Sequence, residues 1–255
     1  MSTPRPSGLE FVTGVVDPQS PSGGRGGSDW RLHFALEVWH REDQVIVSVP
    51  LRVTRDVGLA ELESLMARVR PGEIFSARVR FDDPHTAQLV EILEPQGASD
   101  ALVQRAADLL VPKTFVDGRF GVFTLDRRMD WYEGNASWCG RAVPLYLNAT
   151  NEVELDSVIR TTAKLWDEQL VWSTRLEDCA IEHLLELKND CWLDDDDEQR
   201  LEPHAFRRRM TLESVTVEAD GSFEFWFDDG DLFGGHAIRV EGNVVDGATR
   251  ASIQG

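Results

Sequence analysis

The stretch F-E-F-W-F-D-D-G-D-L-F-G-G-H-A-I-R-V, Phe223–Val240, decides how the second half of the chain folds. Phe223, Phe225 and Phe227 alternate with Glu224 and Trp226, which is the two-residue period of a strand. Asp228-Asp229-Gly230 breaks the period, Gly234-Gly235 frees the backbone, and Ala237–Val240 alternates again. The expectation is two antiparallel strands joined by a loop rich in glycine and aspartate. His236 starts the returning strand. With Asp228, Asp229, Asp231, Trp226 and Phe233 it makes up the candidate binding residues, since acids, aromatics and a titratable imidazole converge there.

Reading onward, Leu212–Glu218 precedes this pair as a third strand, and Pro203 starts a short helix with Phe206 inward. Upstream lie two helices. The first, from about Glu152, carries Leu155, Val158, Ile159, Thr162, Leu165 and Trp166 at helical spacing. The second carries Leu176, Cys179, Ala180, His183, Leu184 and Leu187. Before them, Phe120–Leu125 and Arg141–Leu147 read as a hairpin around an irregular stretch with Trp131, Tyr132 and Trp138. The second half is thus a hairpin, a helical pair and a three-stranded antiparallel meander.

The first half has a different rhythm. Leu9–Val16 reads as a strand after a disordered start over residues 1–8, and Asp17–Asp29 as a flexible loop. Trp30–Trp39 and Val45–Val53 read as a hairpin. Leu59, Leu62, Leu65, Met66 and Val69 mark a helix that Pro71-Gly72 ends. Strands over Phe75–Phe81 and Thr86–Leu93 complete the unit. Three strands, a helix and two strands is the order of a small five-stranded β-barrel, the OB-fold, and the likeness is one of topology alone. Pro95-Gln96-Gly97 sets the expected boundary, giving domains 1–97 and 98–255, with Ser99 capping a helix over Asp100–Leu110. The chain is α+β throughout.

Phe120–Asp126, Trp131, Trp192, Phe206 and Leu232-Phe233-Gly234-Gly235-His236 resemble an uncharacterised bacterial domain-of-unknown-function family, number twenty-two sixty-two, over roughly residues 115–250. The resemblance implies a bacterial origin and, by context, an immunity or defence-associated accessory role. It implies no catalytic residues.

Charge narrows the partners. The chain has 45 Asp+Glu against 26 Lys+Arg, a formal net charge of −19. Residues 116–255 hold 29 acids against 14 bases and six of the eight tryptophans. Such an excess repels phosphate backbones and suits a basic protein partner. No apolar run approaches a membrane span, and the polar opening M-S-T-P-R-P lacks the apolar core of a secretory signal. Three cysteines, Cys139, Cys179 and Cys191, fit a reducing cytoplasm better than a disulfide framework.

No nucleotide-binding, hydrolase or zinc-protease motif is present, so no catalytic residue, cofactor or metal is assigned. His236 with its neighbouring aspartates lacks the alternation of a calcium loop, and Asp-Asp-Gly equally serves a tight turn. Cys179 and His183 share a helix face but are only two of the four ligands a structural zinc needs. The acidic run Asp194–Glu198 reads as a solvated loop. In the first domain Arg52, Arg78 and Arg80, with Trp30 and Trp39, supply an alternative: a face for single-stranded nucleic acid. The primary reading is a non-enzymatic protein-binding module. The rivals are a hydrolase-like enzyme using His236 with an acid, and that nucleic-acid binder.

Overall fold

A computed structural model describes residues 8–26, 29–42, 45–192 and 200–255. Chain contacts divide it into two units: the stretch to Pro112 with Arg127–Met129, and Lys113–Asp126 with Asp130–Gly255.

The first unit contains β1 (Leu9–Val16), β2 (Ser22–Gly26), β3 (Asp29–Arg41), β4 (Leu51–Val57), α1 (Leu59–Arg68), β5 (Ile74–Asp83), β6 (Thr86–Leu93) and α2 (Asp100–Leu110). The strand order is β1-β5-β6-β4-β3-β2, and β1 also pairs with β3. Five strands therefore run in a ring, with β4 and β6 parallel and the other pairs antiparallel. Alternation turns Leu32, Phe34, Leu36, Leu51, Val53, Ala77, Val79, Phe81, Ala87 and Leu89 into the ring. α1 lays Leu62 and Leu65 against that core.

Two expectations fail in this unit. Asp17–Asp29 is not all loop, because Ser22–Gly26 pairs antiparallel with β3. Nor is Val45–Val53 one strand. Val45 and Val49 are exposed at 85% and 52%, a single bridge joins Val47 to Trp39, and pairing with β3 resumes only at Leu51. The helix over 100–110 starts as its Ser99 cap predicts, with the Ser99 hydroxyl accepting from the Leu102 amide. It packs on the first unit, where Leu102 is buried and Arg105 pairs with Glu37 of β3.

The second unit contains β7 (Thr114–Asp117), β8 (Gly121–Asp126), β9 (Trp131–Trp138), β10 (Arg141–Asn148), α3 (Glu152–Asp167), α4 (Gln169–Cys191), α5 (Pro203–Arg209), β11 (Thr211–Glu218), β12 (Ser222–Asp228), β13 (Ala237–Asn243) and β14 (Gly247–Gln254). All eight strands form one sheet in sequence order from β7 to β14, with only β10 and β11 parallel. The parallel step follows from the helical crossover between them.

The expected hairpin of Phe120–Leu125 with Arg141–Leu147 is corrected: β9 lies between those strands and pairs with both. The expected three-stranded meander is four-stranded, β14 being the addition. The helices cover one face. Val158, Leu165, Trp166, Trp172, Leu176 and Leu184 meet Leu145, Leu147, Val215, Val217, Phe223, Phe225, Ile238 and Val240 in a single core. Gly134 of β9 faces that core because a Cβ there would lie 2.7 Å from the Phe123 ring. Residues 1–7 and the Asp194–Glu198 run, for which disorder and a loop were expected, lie outside the described residues.

Candidate functional site

The loop between β12 and β13 is organised by Asp229, which is only 1% exposed. One carboxylate oxygen accepts from the amides of Phe233 (2.6 Å) and Gly235 (3.3 Å), the other from Asp231 (3.1 Å). Asp228 is exposed and accepts from the Gly230 amide at 2.9 Å. Four residues, Gly230, Asp231, Gly234 and Gly235, take positive φ. That is the conformation glycine adopts without penalty, and it lets successive amides turn toward one acceptor. Asp231 is exposed at the loop tip.

Phe233 is 0% exposed and packs edge-on against Trp192 (5.7 Å) and Phe206 (6.1 Å). It is a core residue, and its side chain offers no surface to a partner. His236 is half-buried with its ring at 5.6 Å from Trp192. The structure thus brings the loop candidates together but commits Asp229 and Phe233 to holding the loop on the core.

Trp226 points the other way, onto the face of the sheet that α3, α4 and α5 leave uncovered. Register places Glu133, Tyr146, Thr216, Glu224, Glu241 and Arg250 in one row across β9 to β14. The adjoining row runs Ser214, Trp226, Arg239 and Ser252. Trp131 stacks on Tyr146 with centroids 4.7 Å apart, and Arg239 lies 5.9 Å over Trp226. Arg239 bridges Glu224 (3.2 Å) and Glu241 (2.9 Å), and Arg250 approaches Glu241 at 3.5 Å. Glu218, beside Asn148 in the parallel register, has its carboxyl pushed up by burial, with Asp220 and Glu224 adding in the same direction; a hydrogen bond from Asn148 opposes this. The face is therefore a set of partly buried aromatics among carboxylates, held by one central arginine.

Trp131, Tyr146, Glu218, Arg239 and Glu241 were not among the sequence candidates. The signal for them was present in the alternation itself: Tyr146 stands between buried Leu145 and Leu147, Arg239 and Glu241 flank buried Val240, Glu218 follows buried Val217 and Trp131 precedes buried Tyr132. A residue that alternates with buried neighbours stands on the opposite face.

In the first unit Arg52 on β4 and Arg78 and Arg80 on β5 all point out of the ring and are exposed. β6 separates them, with Thr86 beside Arg52, Gln88 beside Arg80, and Glu91 paired to Arg78 at 3.2 Å. The two tryptophans named with them do not join that face. Trp39 is 2% exposed with its indole N–H on the Val49 carbonyl, and Trp30 packs against the ring core.

Cys179 is buried on α4, which pushes its thiol up, with Glu182 adding to the shift. The His183 Nδ1 donates to the Cys179 carbonyl at 2.9 Å, with the sulfur at 3.7 Å. Among the described residues no group of three or more His, Cys, Asp or Glu is placed to hold a metal ion. Among the described residues no helix is long and apolar enough to cross a membrane.

The chain belongs to the family described as "Uncharacterized protein conserved in bacteria" (DUF2262), whose model matches residues 117–253. No curated protein matches it. Among solved structures it is similar to a deletion mutant of the single-stranded DNA binding protein from Thermus aquaticus. The identity is 13% and the TM-score 0.22, over 55% of this chain and 74% of that one. A superposition that poor carries no argument.

Proposed function

We propose that this is a two-domain, non-enzymatic bacterial binding protein, whose C-terminal domain takes a basic protein partner on the helix-free face of its eight-stranded sheet. The observation that carries this reading is the cross-strand row from Glu133 to Arg250, which holds Tyr146, with Trp131 and Trp226 beside it, all three aromatics partly buried. Large, stiff aromatics contribute contact area at small entropic cost, which is why they anchor protein interfaces. Carboxylates around them select a cationic partner and speed its capture. The 29 acids against 14 bases of residues 116–255 extend that field beyond the face itself.

The N-terminal ring is read as an OB-type barrel, whose five-strand order with one parallel pair and a helix before the last two strands it shares. In this reading it is the accessory module, working in the cytoplasm. An immunity or defence-associated role, implied by the family resemblance, fits a protein built to hold another protein.

The test is recovery of tagged full-length chain from a native host, side by side with a Tyr146→Ala/Trp226→Ala double variant. The reading expects a basic protein on the wild-type chain, released by raised salt and absent from the variant. Equal recovery on both chains, or an acidic partner, would count against it.

A further inference from the structure

At one end of the helix-free face the chain holds a guanidinium of its own. Arg239 lies 5.9 Å over the Trp226 ring and bridges Glu224 at 3.2 Å and Glu241 at 2.9 Å. An aromatic face beneath the cation and carboxylates at its rim hold it by stacking and by charge together.

The same kinds of group stand together where β9 and β10 meet. Trp131 and Tyr146 stack with centroids 4.7 Å apart and their planes 27° from parallel. Stacking covers one side of each ring and leaves the other side to a third group, and both side chains keep part of their surface in solvent. Glu133 stands directly opposite Tyr146 in the register and two residues from Trp131, on the same side of the sheet. Unlike Glu224 and Glu241, it is exposed and makes no ion pair among the described residues. Nor does an arginine or lysine of the described residues lie over Trp131 or Tyr146.

Charge decides what such a group of side chains takes. An anion is repelled by Glu133 and by the acid excess of this half of the chain. A neutral molecule gains nothing from the carboxylate. A cation gains from both the rings and Glu133. Among cations a guanidinium suits them best, because it is planar, offers a carboxylate a fork of N–H donors, and is more weakly hydrated than an ammonium.

We propose that Trp131, Tyr146 and Glu133 receive one arginine side chain of the partner, an inference that rests on reading this face as the binding surface. The guanidinium lies on an outer ring face of the stack and donates to the Glu133 carboxylate, as Arg239 does between Trp226 and Glu224.

The experiment needs no partner protein. N-acetyl-arginine amide is titrated into the full chain, followed by backbone amide NMR, beside the citrulline and lysine analogues. Citrulline keeps the planar shape without the charge, and lysine keeps the charge without the plane. The arginine probe should shift the amides of Trp131, Glu133 and Tyr146 and bind about tenfold more tightly than citrulline, with lysine between them. Glu133→Gln, at an exposed position, should weaken the arginine probe several-fold and leave citrulline unchanged; Trp131→Leu should abolish the preference. Citrulline or lysine binding as tightly as arginine, shifts mapped elsewhere, or no shift at all would overturn the proposal. Should Trp131→Leu fail to fold, Glu133→Gln and the wild-type ratio decide. A failed titration beside successful salt-sensitive recovery of a basic partner removes the arginine receptor alone, whereas arginine binding without any such partner removes the wider reading alone.

Discussion

The Phe233 amide donates to the Asp229 carboxylate at 2.6 Å, with both residues shut away from solvent. A short loop that would otherwise present three unpaired amides is closed on a single buried carboxylate, and Phe233 is held against Trp192 and Phe206. Asp229→Ala should therefore cost on the order of 3 kcal/mol, since it leaves donors unmet as well as deleting bonds. Asp229→Asn keeps an acceptor and should cost less. Thermal unfolding of the three chains checks this. An alanine variant as stable as wild type would remove Asp229 from its structural role.

Gly134→Ala should also destabilise, by about 1–3 kcal/mol, because the added methyl meets Phe123 at 2.7 Å and the Val122 carbonyl at 3.0 Å. Phe123 is 0% exposed and stacks on Phe115 at 4.9 Å, so its ring has little room to move aside. Chemical denaturation would read the change. An unaltered midpoint would show that the ring yields at no cost.

Those two sites also mark what the sequence made legible and what it hid. Strands with a strong apolar period, such as β12 and β5, were readable because every second side chain is apolar. β9 was not, since its inward positions include Gly134 and Ala136, small residues that the packing of Phe123 demands and that blur the period. β14 offers only Ala248, Ala251 and Ile253 to the core, and the glycine-rich β2 takes its strand form from pairing with β3. Asp229 and Phe233 could be picked out as unusual. Nothing in their types told a buried brace from a surface contact, because burial depends on Trp192 and Phe206, distant in sequence. The open face was hidden for the same reason: which side of a sheet the helices cover is a property of the crossover.

Acidity should act on stability through Glu218. Burial raises its carboxyl, so between the unfolded and folded values the folded chain holds more protons, and stability falls as pH rises through that window. Above it the ionised carboxylate remains a standing cost. Glu218→Gln should thus melt higher than wild type near neutral pH, and the gap should narrow in acid. Melting curves across pH test this; a variant less stable than wild type at neutral pH would reverse the sign.

The two units each carry their own apolar cluster, which predicts that a fragment spanning residues 113–255 folds by itself. It should give dispersed amide NMR signals and a cooperative melt. An aggregated or unstructured fragment would place part of its core in the first unit.

The central claim, that the helix-free sheet face is the binding surface, is tested most directly by titrating the purified partner into wild-type chain and into Trp226→Ala. Trp226 lies under Arg239 and bonds Glu224 through its indole N–H at 3.1 Å, so it braces the face while contributing little to the core. Its loss should weaken binding about tenfold or more, as for an interface anchor, with the melting temperature nearly unchanged and affinity falling as salt rises. Undiminished affinity in Trp226→Ala, together with binding indifferent to salt, would contradict the account.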